Sequence, residues 1–299
     1  MKQTIFQNAT LLLWVSLMAS SFVVSQYLLP FTSPLVGTAL RFILGCLLML
    51  PFVVYRWQFF GVRVFLQYAL ISFFLVLFFV GLFTALQTTS PLNTSVVYTL
   101  VPVISVLFTF IGLKIATPKH QLLGFALGIV GAIWMLLALH PASSNLANIN
   151  RGDAIFLLAC CSLSMHVTLV KKWGSQVPAV LGSFYIMLCG SILLLPALLI
   201  SFPLANTDWQ NIQFWKVLLY LTVFTTMGTF FLQQYLVKSV GPNRLLAFTY
   251  LIPILVAVPH LYGLLIEGAD LSIIWLAMPG VMMTLLALYL ISKQSRLVT

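Results

Sequence analysis

Apolar residues come in long runs separated by short polar breaks, and the runs are the length a bilayer demands. A helix needs about 20 predominantly apolar residues to cross the hydrocarbon core. Ten such stretches follow one another, at about 8–28, 34–55, 64–86, 91–112, 121–139, 153–170, 178–201, 215–237, 243–263 and 272–291. The third, VFLQYALISFFLVLFFVGLFTAL, carries no charge. The first is less apolar, follows Lys2 and has MAS around Ala19, which resembles a signal-peptide cleavage site. Its apolar stretch is too long for a signal peptide, so it is expected to remain as span 1. The predicted fold is an all-α membrane protein with ten transmembrane helices.

Composition agrees with this pattern. Of 299 residues, 62% are apolar and only 6% charged, far from the balance of water-soluble domains. The net charge of +10 would suggest nucleic acid if the basic residues formed a stripe or a recognised motif. They occur instead as ones and twos between spans, so no nucleic-acid partner is expected. Under the positive-inside rule, a cytoplasmic N-terminus places Lys2, Arg56, Arg63, Lys114, Lys119, Lys171, Lys172, Lys238, Arg244, Lys293 and Arg296 on the cytoplasmic side. Only Arg151 and Lys216 then fall outside, together with all four acids, Asp153, Asp208, Glu267 and Asp270. Nine or eleven spans would break this alternation. The expected placement is a multi-pass protein of the inner (cytoplasmic) membrane with both termini cytoplasmic. Cys46, Cys160, Cys161 and Cys189 lie inside apolar runs and predict buried thiols, with neither a disulfide framework nor a metal site.

The stretch HPASSNLANINRG (140–152) divides the spans into five and five, giving expected repeats at 8–139 and 151–292. SPLNTSVVYTLVPVISVLFTFIGL (90–113) aligns with GPNRLLAFTYLIPILVAVPHLYGL (241–264). This pairs Pro91 with Pro242, Pro102 with Pro253 and Gly112 with Gly263. SPLVGTALRF and VPAVLGSFYI likewise open spans 2 and 7, pairing Pro34 with Pro178 and Arg41 with Tyr185. An odd number of spans per repeat places the second copy upside down, so two inverted five-helix repeats are expected, an arrangement shared by many secondary transporters.

The stretches FTALQTTSPLNTSVVYTLVPVISVLF (83–108), FLQQYLVKSVGPNRLLAFTYLIPILVAV (231–258), GFALGIVGAIWMLL (124–137) and RGDAIFLLACCSLSMHVTLVKKW (151–173) resemble the EamA-like members of the drug/metabolite transporter superfamily. The resemblance covers almost the whole chain. It implies alternating access between two halves and export of amino acids or related metabolites. Family repeats usually end their fourth helix with a Gly-Glu pair. Here the second half has Glu267 followed by Gly268, in reverse order, and the first half, GLKIATPK (112–119), has no acid.

Substrate sites in such folds lie near the midplane between repeats, and polar groups within spans are the first candidates for them. Arg41 is the one formally charged residue deep in a span, about 10 Å below the outer surface at 1.5 Å per residue from Pro34. A guanidinium there could recognise a carboxylate or phosphate, be a structural arginine bonded to helix ends, or snorkel to the interface. Tyr98 lies at a similar depth, and Tyr185 and Tyr250 lie at comparable depth from the opposite face. Tyr98 and Tyr250 closely precede Pro102 and Pro253, whose missing N–H bends a helix and opens room for a ligand. Together they predict an aromatic pocket, or else simple interhelical packing. His166 is a candidate for substrate contact or proton coupling. Glu267 is a second candidate for proton coupling, or a solvated loop carboxylate. Gln234 and Thr84 are further substrate-binding candidates. Ser20, Ser21, Ser162, Ser164, Gln233 and Gln87 could line a cavity or bond between helices. Gly124, Gly128 and Gly131 form a small-residue face on span 5 that predicts close helix packing. Spans 5 and 10, taken as the shorter helices, are expected to brace the bundle or mediate a homodimer.

No HExxH, GxSxG or P-loop motif and no intramembrane acid pair occurs, so no enzyme, cofactor or ATP-driven pump is expected. The expected partners are a small-molecule substrate and the lipid bilayer. The leading expectation is export of carboxylate-bearing metabolites. The alternatives are efflux of lipophilic cations through cation–π contacts and, in a different class, a membrane receptor or integral enzyme.

Overall fold

The computed structural model describes residues 2–54, 58, 60–139, 150–200, 207–240, 242–266 and 270–293. Among them there is no strand, and ten helices are long and apolar enough to cross a membrane. These are Ile5–Gln26, Pro34–Val54, Val62–Ala85, Pro91–Leu113, Lys119–Leu139, Arg151–Gln176, Ala179–Pro196, Ile212–Val237, Arg244–Ile266 and Ser272–Ser292, spans 1 to 10 in chain order. Most of the loop at 140–152, Glu267, and Arg56 and Arg296 lie outside the described residues.

Helix ends differ from the hydropathy limits where polar residues find partners. Span 1 begins earlier than residue 8 because its first turns are held by spans 8 and 9. Gln7 donates to the Ser239 carbonyl at 3.1 Å, and Arg244 donates to Asn8. Span 6 starts at an Asn150–Asp153 capping box, in which each side chain satisfies the other residue's backbone N–H. Spans 5 and 10 are each 21 residues long, at the short end of the 18–26 residue range of the ten spans, together with spans 2 and 7.

Two spans break where the prolines predicted a bend. Span 4 consists of Pro91–Tyr98 and Val101–Leu113. Pro102 has no N–H for the carbonyl one turn back, and Thr99 and Leu100 close the gap with tighter bonds to Val96 and Val97. Span 9 breaks the same way, through a 3-10 turn at Thr249–Leu251 just before Pro253. A third irregularity has no proline to announce it. Span 8 carries a π-helical segment, Val223–Gly228, between α-helical stretches.

The spans pack as close pairs. Span 5 lies along span 10, span 2 against span 7, and span 3 against span 6, with span 1 beside spans 8 and 9. Small residues set the approach. A Cβ at Gly131 would fall 2.7 Å from the Gly280 carbonyl oxygen, and one at Gly124 would fall 2.6 Å from Ile291. The glycine face of span 5 therefore does serve close packing. Between spans 2 and 7, the Phe42 ring covers Gly190 and Met187 covers Gly45. The four cysteines are free thiols.

Candidate functional site

Arg41 is the most buried charge in the described protein. Only 1% of its surface is exposed. It lies two turns into span 2, where positions 38, 41, 42, 45 and 49 are buried in the bundle interior. Insertion scales put the cost of an arginine at the centre of a membrane helix near ~3 kcal/mol. The charge must therefore find polar partners, and it finds them on three neighbouring spans.

Span 8 supplies two. The Arg41 Nε donates to the Thr226 hydroxyl, and Nη2 donates to the Thr225 hydroxyl at 2.8 Å. Span 1 supplies the Ser21 hydroxyl, 3.5 Å from Nη2. Span 3 supplies the Phe79 ring, whose centroid is 4.3 Å from the guanidinium carbon, a cation–π geometry. The hydroxyls are themselves anchored. Thr225 and Thr226 both donate to the Leu221 carbonyl, at 2.8 and 3.0 Å. Two O–H dipoles thus converge on one backbone oxygen and turn their lone pairs toward the guanidinium. The π-helical turn makes this possible by bringing Thr226, five residues on, over the same carbonyl as Thr225.

Among the described residues, no carboxylate joins this group. The described acids all sit at helix starts. Asp153 caps span 6 and accepts from Thr89, Asp208 accepts from Asn211, and Asp270 accepts from the Ser272 N–H. Hydrogen bonds to charged groups contribute about 1.5–3 kcal/mol each, so the hydroxyls and ring can hold the guanidinium without an anion. They leave one donor unused. Nη1 is buried and has no hydrogen-bond partner among the described residues.

Next to Arg41 lies an aromatic cluster. Phe79 meets Phe78 at 5.1 Å and Phe42 at 5.9 Å between ring centroids. Phe78 meets Tyr98, Tyr98 meets Phe22 edge-on at 5.2 Å, and Phe156 closes the group. Tyr98 therefore belongs to the Arg41 neighbourhood, two rings away.

The other tyrosines do not gather there. The Tyr185 hydroxyl donates to the Gln58 carbonyl in the loop between spans 2 and 3, at 2.8 Å, and its ring packs edge-on against Tyr68 and Phe65. Tyr250 is fully buried among Phe125, Ala247 and Ile291, with its ring against Gly128. Its hydroxyl donates to the Thr99 carbonyl at 3.3 Å, so the two proline-linked breaks touch. His166 turns Nδ1 to the Ile71 carbonyl of span 3 at 2.9 Å. A carbonyl only accepts, so Nδ1 carries the proton of this bond. Thr84 donates to the Val80 carbonyl of its own helix. The side chain of Gln234, like Glu267, lies outside the described residues. Among the described residues no group of His, Cys, Asp or Glu could hold a metal ion.

Thr225, Thr226 and Phe79 were not singled out from sequence. The threonines left a signal. Thr222, Thr225, Thr226 and Thr229 have the 3- and 4-residue spacing that puts hydroxyls on one helix face. All four are buried.

The EamA-like transporter family matches residues 7–137 and again residues 150–293. The chain belongs to this family and is a multi-pass membrane protein of transporter type. Among curated relatives, the uncharacterised transporter sll0355 of Synechocystis sp. is 28% identical over 190 residues, covering 63% of this chain and 55% of that protein. The uncharacterised transporter YyaM of Bacillus subtilis is 22% identical over 181 residues, 60% of this chain and 58% of its own length. Protein PecM of Dickeya dadantii is 28% identical over 192 residues, 62% of this chain and 60% of its own length. The matches thus span little more than half the length of these relatives. A solved crystal structure of another protein shares the fold with a TM-score of 0.64 over 99% of this chain and 98% of its own, at 16% identity.

Proposed function

We propose that this protein is a secondary transporter that exports amino acids or related carboxylate-bearing metabolites across the inner membrane by alternating access. The observation that carries this reading is the Arg41 guanidinium, which is buried, bonded among the described residues only to neutral hydroxyls and a ring, and left with both N–H bonds of its buried Nη1 unpaired. A carboxylate reaching Nη1 would supply the missing acceptor and the missing negative charge together. The adjoining Phe79, Phe78, Tyr98 and Phe22 rings suit an apolar side chain. The same positive charge disfavours a lipophilic cation.

The two halves, 8–139 and 151–292, work as inverted repeats in this reading. Its support is the pairing of equivalent spans, 2 with 7 and 5 with 10, and the matching of span 3 beside span 6 with span 8 beside span 1. Both termini face the cytoplasm, in keeping with the basic residues. His166 or Glu267 would carry a proton if transport is proton-coupled. Spans 5 and 10 brace the bundle or join two copies.

The test is binding and counterflow with purified protein in proteoliposomes, wild type against Arg41→Gln. The variant is expected to lose amino-acid binding and transport while unfolding cooperatively near the wild-type temperature. Unchanged KM in a folded variant would sink the reading. For orientation, a cysteine placed in the loop at 140–149 is expected to react with an impermeant thiol reagent only from outside the cell.

A further inference from the structure

The two halves of the chain are tied to each other at both membrane faces, by contacts of different chemistry. At one face the turn after span 3 reaches the start of span 6. Thr89 donates to the Asp153 carboxylate, which also accepts from the Asn150 N–H. Gly152 packs so closely on this turn that an added Cβ would lie 2.6 Å from the Thr88 hydroxyl and 2.7 Å from the Ala85 carbonyl oxygen. At the opposite face the start of span 1 meets the end of helix Thr229–Val240 and the start of span 9. Gln7 donates to the Ser239 carbonyl at 3.1 Å, Arg244 donates to Asn8, and the Phe6 ring meets Tyr235 edge-on at 6.2 Å.

These two contacts occupy equivalent places in the sequence. The family match begins at residue 7 and begins again at residue 150, so the openings of spans 1 and 6 correspond. Pro91 and Pro242 correspond in the aligned stretches 90–113 and 241–264. Thr89 stands just before the first proline, and Ser239 and Arg244 flank the second. The alternation of ten spans puts the two contacts on opposite faces. Each contact also crosses from one half of the chain to the other, 85–89 to 150–153 in one case and 7–8 to 239–244 in the other. In alternating access a face opens only where the halves part. A carboxylate carries the first contact and a guanidinium the second, so a substitution can loosen either one without touching the other.

We infer that these contacts are the two gate latches of the transport cycle, Thr89–Asp153 at the face where span 6 begins and Arg244–Asn8 with Gln7–Ser239 at the face where span 1 begins. The structure holds both latches at once. The inference rests on the alternating-access reading and not on the identity of the substrate. Removing one latch takes interactions from the state closed at that face and none from the state open there, so the population shifts toward opening at that face alone.

The experiment follows a thiol at the level of Arg41. Ser21→Cys places it on span 1, where the Ser21 hydroxyl lies 3.5 Å from Arg41 Nη2 and the residue is 7% exposed. Full-length protein meets an impermeant thiol reagent from outside in intact cells and from inside in inverted vesicles. Label is counted at residue 21 by peptide mapping, so the native thiols do not interfere. Asp153→Ala and Thr89→Val each loosen the first latch, and Arg244→Gln and Asn8→Ala each loosen the second. Both variants of a latch are expected to raise the labelling rate at least fivefold from one face and leave it within twofold from the other, with the two latches acting on opposite faces. Local fraying of a helix end exposes its own residues and does not carry reagent to residue 21 from a chosen side. A response to one latch alone, or of both latches at the same face, overturns the inference. Labelling of the parent Ser21→Cys protein from both faces that no latch variant changes overturns the latches and leaves alternating access standing. Labelling from one face only, or from neither, in every variant overturns alternating access, and the latches with it.

Discussion

Arg41 and Tyr185 each stand seven residues after the proline that opens their region, Pro34 before span 2 and Pro178 before span 7. Spans 2 and 7 pack directly on each other, and both side chains are almost fully buried. Their surroundings nevertheless differ in kind. Tyr185 spends its one hydroxyl donor on the Gln58 carbonyl and packs on two rings. Arg41 faces the π-helical turn of span 8, where two threonine hydroxyls, a serine and a ring hold it with one donor left over. Span 3, which meets Tyr185 as span 8 meets Arg41, is regular α-helix from Val62 to Ala85. The difference teaches that similar positions in two halves can divide labour. The saturated phenol ties a loop to the bundle, and the guanidinium keeps its Nη1 group unpaired among the described residues.

The largest expected effect breaks the comparison outright. Arg41→Gln should abolish measurable transport of carboxylates, a loss of at least a hundredfold in kcat/KM, and flux assays in proteoliposomes would read it. Arg41→Lys sharpens the point. It keeps the charge but not the planar fork, so an intermediate loss of about tenfold is expected in the same assay, and full activity would mean that charge alone matters.

Thr225→Val comes next. It leaves Nη2 with only the distant Ser21, and an orphaned buried donor costs about 1–3 kcal/mol. Part should appear as lower thermal stability and part as a raised KM, because the guanidinium loses its aim. A variant with wild-type stability and KM would show that the π-helical turn does not position Arg41.

The smallest effect belongs to the other side of the comparison. Tyr185→Phe removes one hydroxyl bond and should cost about 1 kcal/mol of stability, with transport within twofold of wild type. Tyr250→Phe should do the same or less, since its bond to Thr99 is longer at 3.3 Å. Denaturation in detergent and flux measured side by side check both, and a transport defect without a stability defect in either would return that tyrosine to the site.

Much of this arrangement was legible before folding was considered. Apolar run length gave the ten spans, and the prolines at 102 and 253 marked the breaks in spans 4 and 9. Arg41 stood out because a charge within a long apolar run has few physical explanations. The tyrosines were harder to place. Tyr98 joins the Arg41 cluster, whereas Tyr185 and Tyr250 reach a loop and a helix break. All three have the same side chain at similar depth, so depth alone did not separate them. The threonine face at 222, 225, 226 and 229 was readable as a face, but not as the partner of Arg41.

What the sequence by itself determined are quantities that accumulate locally along the chain. Transfer free energy over twenty residues decides that a segment spans, the missing N–H of proline decides where it bends, and the sign of flanking charge sets the expected orientation. Only the tertiary structure decided which hydroxyls meet the guanidinium, that span 8 winds into a π-helix, and which way each tyrosine points. Those depend on the rotation and axial register of one helix against another. Contacts such as Phe42 on Gly190 and Met187 on Gly45 fix that register, and residues more than a hundred positions apart must fit together before Arg41 has a site at all.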